Sequence, residues 1–403
     1  MHAGEDASRG AGSSSRWPPS GWAARARALS SALRVALGGA LLVALVACGP
    51  SAASRAPSAP PPAPPADQPA AWQQTVAAAK REGAVSVAGP PQPAEREAIL
   101  RFREAYPDIA LEYVGLTGQD YLHRVESERA NGIHSWDAYI GGVSTQYDYI
   151  PKGYFQPIKP NLLLPEVLDD QSWRGGFEAG FTDVGKQYVY AFTQYVTTLI
   201  KVNRTLVPES QLPSAAGLFD PRWRGKIVIY DPRSGGAGLL ALTALRQEFG
   251  DDAVRTLLVD QRPAFSTDKR QFTEWVVRGR YPIGIGVVDP YLAPFWEEGL
   301  GKDVQTLETR IQVVTPGSGG LVVMSDAPHP NAARVFVNWL LGRDAQAAWA
   351  KLAATNSRRA DVEPGSPEAL PDLGRPGDYA DYNTEAGNPI MRDTQRFSMS
   401  VIP

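Results

Sequence analysis

Phe219-Asp220-Pro221-Arg222-Trp223-Arg224-Gly225-Lys226-Ile227-Val228-Ile229-Tyr230-Asp231-Pro232-Arg233-Ser234-Gly235-Gly236-Ala237-Gly238 is the stretch that decides how this chain folds. A turn at Asp220-Pro221 precedes Ile227-Val228-Ile229-Tyr230, a β-branched and aromatic run of the kind that forms a buried strand. Asp231-Pro232 stops it. Ser234-Gly235-Gly236 then opens a helical pattern with Leu242, Leu245 and Phe249 along one face and Gly250 as its stop. Strand, small-residue loop and helix start together aim unpaired backbone N–H groups and a positive dipole end at one spot, which suits an anion. The same residues also suit a plain helix start, with Ser234 as cap and the glycines relieving crowding. The Gly-Lys-Ser/Thr ending of a P-loop is absent, which argues against a nucleotide cradle of that type.

Upstream, strands and helices alternate. A helix from Trp72 to Ala79 leads to the strand Val85-Ser86-Val87-Ala88, and a second helix starts at Pro93 with Ile99, Phe102 and Tyr106 on one face. Ile109 to Val114 is another strand, and the loop at Thr117 opens a helix carrying Tyr121. Trp136 to Ile140 reads as a strand that ends in the polar turn Gly142-Val143-Ser144-Thr145. This order predicts an α/β body with a mainly parallel sheet. Tyr188 to Val202 is a long β-rich run, and downstream a helix starts near Asp268, a strand spans residues 281–288, and a last helix runs from Pro330 to Gly342. Gly284-Ile285-Gly286-Val287-Val288-Asp289 is a partial dinucleotide fingerprint that lacks its third glycine. Gly317-Ser318-Gly319 lacks the flanking pattern of a nucleophile elbow.

The N-terminal region is of another kind. Residues 1–34 carry arginines, and residues 35–47 are apolar for 13 positions, short of the ~20 that span a bilayer, so residues 1–47 read as a signal peptide. Leu45-Val46-Ala47-Cys48-Gly49 resembles a bacterial lipobox, which implies acylation of Cys48 and anchoring to a membrane. Residues 48–71, rich in Pro, Ala and Ser, read as an extended linker.

Composition excludes several functions. The net charge of −3 leaves no basic footprint for nucleic acid. Cys48 is the single cysteine, so no intramolecular disulfide or thiolate cluster forms, and the four histidines (His2, His123, His134, His329) show no metal-pair spacing. No nucleophile, base or metal constellation stands out, which argues against an enzyme and implies no cofactor.

Between Val85 and Ala353 the chain resembles the extracellular solute-binding proteins of ABC importers, the type II periplasmic binding proteins, in their ferric-iron and spermidine/putrescine-like branch. The resemblance rests on Phe219-Asp220-Pro221-Arg222-Trp223-Arg224-Gly225-Lys226-Ile227, Gly279-Arg280-Tyr281-Pro282-Ile283-Gly284-Ile285, and Ala327-Pro328-His329-Pro330-Asn331-Ala332-Ala333 with its continuation to Gln346. It implies a two-lobe fold of mixed sheets flanked by helices, joined by two crossover strands, one within residues 188–196 and one near residues 312–321. On that frame residues 72–192 begin the first lobe, 193–311 form the second, 312–357 return to the first, and 358–403 are a loosely ordered extension.

The resemblance also implies a solute held between the lobes, an ABC permease as partner, a monomer, and an extracytoplasmic, lipid-anchored location. The Ser-Gly-small loop that seats an anion in the ferric branch matches Ser234, Gly235, Gly236 and Ala237. Of that branch's paired tyrosines, Tyr291 has a counterpart, but Pro290 stands in the other place and Asp289 precedes it. Losing a phenolate weakens the case for a hard ferric ion. The expectation is an anionic or zwitterionic solute, its oxyanion on the loop and its other end at Asp289 and Tyr291. Thr267, Thr117, Ser144, Thr145, Gln194 and Tyr195 are further candidates to line the cleft. Ferric capture, with Tyr291 as a ligand, is the alternative.

Overall fold

The structure, a computed structural model, describes residues 69–402; the expected signal peptide, Cys48 and most of the proline-rich linker lie outside the described residues. The first part of the chain runs through α1 (Ala70–Glu82), β1 (Ala84–Gly89), α2 (Pro93–Leu100), α3 (Phe102–Ala105), β2 (Ala110–Gly115), α4 (Gly118–Ala130), β3 (Ala138–Gly141), β4 (Phe155–Gln156), α5 (Pro165–Leu168) and β5 (Tyr190–Ala191). From there β6 (Tyr195–Thr197) leads to β7 (Ile200–Asn203), β8 (Ile227–Tyr230), α6 (Gly236–Phe249), α7 (Asp251–Arg255), β9 (Ala264–Ser266), α8 (Lys269–Val277), β10 (Ile283–Ile285), α9 (Asp289–Glu297) and β11 (Val304–Thr306). The return passes through β12 (Gln312–Thr315), β13 (Gly320–Met324), α10 (Pro330–Leu341) and α11 (Arg343–Ala353), and the chain closes with β14 (Tyr379–Ala380) and α12 (Asn388–Val401).

Each lobe is built on one sheet. The first has the order β2-β1-β3-β13-β4, with β5 also paired to β13. There β1, β2 and β3 are parallel, whereas β13 runs antiparallel to β3, β4 and β5. The second has the order β11-β7-β10-β8-β9, with β8 parallel to β9 and β10 and with β7 antiparallel. Both sheets are therefore mixed, because a strand that crosses from one lobe to the other enters each of them in the opposite sense. β13 is buried at every position, and β1 at all but its first, so both read as continuous apolar runs rather than alternating ones.

A third, three-stranded sheet lies between the lobes. β12 pairs antiparallel with β6, Val314 opposite Val196, and parallel with β14. These are the two crossings that the resemblance implies, side by side and hydrogen bonded to each other.

Polar contacts tie the elements where burial alone would leave them free to slide. Asp137, fully buried at the head of β3, accepts from the backbone N–H of Ser86 and of His329, both at 2.7 Å, and lies 2.9 Å from Nδ1 of His329. Glu82 accepts from the N–H groups of Asn331 and Ala332, occupying the open start of α10. In the apolar core of the same lobe, Phe102 packs edge-on against Phe336 and Trp339 with ring centroids 5.3 Å apart. Each such pair contributes about 0.5–1.5 kcal/mol beyond its buried area.

The expectation of a loosely ordered extension over residues 358–403 is corrected. Arg358 and Arg359 are buried, Arg359 reaching the carbonyls of Leu341 and Glu166. α12 is a regular helix that buries Met391, Thr394 and Ser398, and Asp393 on it pairs with Arg246 of α6 at 2.7 Å. The tail's proline, glycine and aspartate content describes its turns, not its last helix.

Two glycines bring α6 against the strand ends. A methyl group on Gly238 would lie 1.8 Å from the carbonyl oxygen of Tyr230, and Gly286, at φ 91°, sits with its added methyl position 2.9 Å from Gly238 Cα. No side chain fits at that approach. Gly238→Ala should therefore lower stability in chemical denaturation by about 1–3 kcal/mol through overpacking. Gly377→Ala, into open space, should change it by less than ~0.5 kcal/mol.

Candidate functional site

In sheets of this kind a ligand sits in the crevice beyond the carboxyl ends of the parallel strands. Here β1 delivers the start of α2, β8 the start of α6 and β10 the start of α9, while α8 begins just after β9. Helix starts from both lobes thus carry their unpaired N–H groups toward one region.

Glu95, in the first turn of α2, is a lobe 1 side chain that feels a charge of lobe 2. It is half-buried and makes no ion pair among the described residues; burial raises its carboxyl above the ordinary value, with its own backbone N–H and the Lys269 ammonium pulling the other way. Lys269 opens α8, and its Nζ lies 5.2 Å from the ring centroid of Tyr291. Tyr291 is pushed up by burial and then by the charge of Glu95. Tyr195 on β6 is pushed up by burial and, in turn, by Tyr291, Glu95 and Asp289. Tyr230 is raised by burial and drawn down by Lys269. Tyr113 at lobe 1 is raised by burial and by Glu95, and its hydroxyl donates to the carbonyl of Pro90. Tyr113, Tyr195 and Tyr291 thus all feel the charge of Glu95, and Glu95 and Tyr230 both feel that of Lys269. Close by, at the start of α2, Gln92 carries a buried Oε1 with no hydrogen-bond partner.

The expected anion loop is present. Gly235, at φ 82°, precedes α6, and Gly236 and Ala237 are its first residues. Ser234 does not cap α6; its Oγ donates to the carbonyl of Asp231 at 2.7 Å, closing the turn before it. Asp289 stands on the cleft floor, beside a small cavity that Tyr195, Thr198, Pro290 and Ser366 also line. It is not a free acceptor. The Lys201 ammonium, itself buried, lies 2.5 Å from one of its oxygens, and Thr198 donates to the other at 3.0 Å.

The remaining candidates divide. Tyr195 and Tyr291 are brought together with Glu95. Thr145 lies beside Gly118 and the Tyr139 hydroxyl, and Ser144 offers its carbonyl to Asn388. Thr117 is committed as the cap of α4, exchanging hydrogen bonds with Asp120. Gln194 braces the buried Arg358 at 2.9 Å, and Thr267 is exposed ahead of α8. Glu95, Lys269 and Tyr230 are the residues that pattern reading passes over. The signal for Glu95 was its place in the first turn behind Pro93, directly after a strand and its loop. Among the described residues no cluster of three or more His, Cys, Asp or Glu could hold a metal ion.

This architecture matches known proteins. Residues 167–352 fit the family model described as bacterial extracellular solute-binding protein. Over those residues, which include strands of both lobes, the chain is similar to bacterial extracellular solute-binding proteins. An uncharacterised protein of Haemophilus influenzae is 27% identical over 257 residues, 62% of this chain and 70% of its own. Iron uptake protein A2 of Synechocystis is 23% identical over 267 residues, 62% of this chain and 71% of its own. Among solved structures, iron-bound HitA from Pseudomonas aeruginosa superposes with a TM-score of 0.62 at 16% identity, covering 79% of this chain and 99% of that one. Among the described residues no helix is long and apolar enough to cross a membrane.

Glu95 gives the cleft a pH signature. Because its pKa is raised in the folded protein, its negative charge costs stability above that pKa, and the cost fades as the pH falls through it. Glu95→Gln should thus melt at a higher temperature than the parent at pH 7 without solute, the gap closing toward pH 4.5. A variant that melts lower at pH 7 would mean that Glu95 is a structural partner instead.

Proposed function

We propose that this chain, anchored to a bacterial membrane through an acylated Cys48, captures a small anionic or zwitterionic solute between its lobes and passes it to an ABC permease. The observation that supports this reading is the Gly235–Ala237 start of α6 after β8, with the half-buried Glu95 of α2 feeling the charge of Lys269. An oxyanion rests on the start of α6 at Ser234, Gly235, Gly236 and Ala237, with Lys269 and Tyr291 at hand. An amine, where the solute has one, meets Glu95, since Asp289 is already held by Lys201. Binding closes the lobes and shifts the population toward the closed state, with no bond made or broken.

Native mass spectrometry of freshly purified protein is the direct test, with a co-purified molecule of this charge type as the expected result. That molecule should raise the melting temperature with a dependence on its concentration over Kd, about 2.7 kcal/mol at 100 Kd. Replacing Ser234 and Gly235 with bulky residues should abolish the shift. A shift that survives that change would remove the loop from the site.

A second reading has its own observation. Tyr195 and Tyr291 feel the charge of Glu95, and Tyr230 feels that of Tyr291, which together are hard oxygen donors for a ferric ion. Burial raises all three phenols, so each resists the ionisation that a ferric ligand needs. Ferric citrate added to the protein would give a tyrosinate charge-transfer colour if iron is the cargo. A colourless solution at saturating ferric citrate sinks that reading and leaves the organic solute.

A further inference from the structure

We propose that α12 is a latch across the two lobes, and that Asn388, Arg392 and Gln395 are positioning residues that set affinity without touching the solute. The helix belongs to lobe 2 by its buried side. Met391 joins that lobe's apolar core, Asp393 pairs with Arg246 at 2.7 Å, and Phe397 lies under the guanidinium of Arg246, 4.7 Å from ring centroid to carbon. Its first turn reaches the other lobe. Asn388, 4% exposed, donates to the carbonyl of Ser144, and its Oδ1 accepts from Nε of Arg392 at 2.7 Å. Arg392 in turn donates to Asp148 at 2.6 Å.

The segment leading into α12 already rests on lobe 1. The Tyr147 hydroxyl donates to the carbonyl of Asn383, the Glu385 N–H donates to Thr182 at 2.9 Å, and the Glu385 carboxylate accepts from Val184 N–H at 2.7 Å. A third tie thus joins the lobes beside the paired crossings. One end of it is Ser144, in the loop that follows β3 in lobe 1. The other is Arg233, whose carbonyl accepts from Gln395 at 2.9 Å directly before the Ser234 to Ala237 loop.

Rotation about β6 and β12 cannot preserve all of these contacts. Those of Met391, Phe397 and Asp393 travel with lobe 2. The ones that must break on opening are Asn388 to Ser144 and Arg392 to Asp148, the latter pair still open to solvent at 38% and 56% of their side chains. An exposed pair of this kind adds little to global stability, so its effect is on the balance of open and closed states. Apparent affinity scales with the closed fraction, and weakening the latch therefore weakens capture.

The test needs no solute, so its outcome is independent of which cargo the cleft takes. Full-length Asp148→Arg, Arg392→Asp and the double charge-swap variant are compared with the parent by hydrogen exchange and by small-angle scattering. Each single reversal should enlarge the radius of gyration and speed exchange at Gly236 to Gly238 at least twofold, with β1 and β8 unchanged. The double variant should return both readings to the parent's. Singles that match the parent, a double that adds their effects, or faster exchange throughout β1 and β8 would each overturn the latch.

Discussion

Everything in this molecule hangs on the antiparallel pairing of Val196 with Val314. The chain leaves the first lobe at β6 and returns at β12, before its tail crosses again to α12, and the first two passages are held together by a few backbone hydrogen bonds. These paired strands alone would not hold two lobes rigidly, and the tail's contacts add to them. The pairing defines an axis about which the lobes turn, and it forces the strands that continue from it, β7 and β13, to enter parallel sheets backwards. The mixed order of both sheets is a consequence of the hinge, not a separate design.

The cleft has an electrostatic asymmetry that follows from the same geometry. Lobe 2 offers donors, namely the first-turn amides of α6 and the Lys269 ammonium. Lobe 1 offers acceptors, the Glu95 carboxylate and the unpartnered Gln92 oxygen. Buried polar groups normally find partners within the fold, and the Gln92 oxygen is one that does not among the described residues. Asp289 shows the contrast. Its two oxygens are satisfied by Lys201 and Thr198 within one lobe, and it shapes the floor without being available.

Much of the fold was legible in the residues because local chemistry and tertiary structure agree there. The α6 start, its Gly250 stop, the β8 strand and the α10 limits all follow from turn residues and apolar spacing. Where the reading fell short, a physical reason is visible. Asp289-Pro290 looked like the end of a strand, yet Pro290 occupies the first turn of α9, where its fixed φ is an advantage. The strand before it is shorter than its apolar run because Gly286 turns the chain at φ 91°. α12 was hidden since three of the four positions it buries, Asn388, Thr394 and Ser398, are polar, which leaves Met391 as the one apolar residue among them. Within the site, the anion loop could be read locally, but Glu95 could not. Its meaning arises only when Lys269 and Tyr291, far along the chain, are folded against it.

The place of β13 has a consequence for how the chain is made. It sits between β3 and β4 in the first sheet, although residues 320–324 are synthesised long after both. The second sheet, by contrast, draws all its strands from the continuous stretch between Ile200 and Thr306. The lobe whose strands are made first therefore completes its sheet only after every strand of the second sheet has been made.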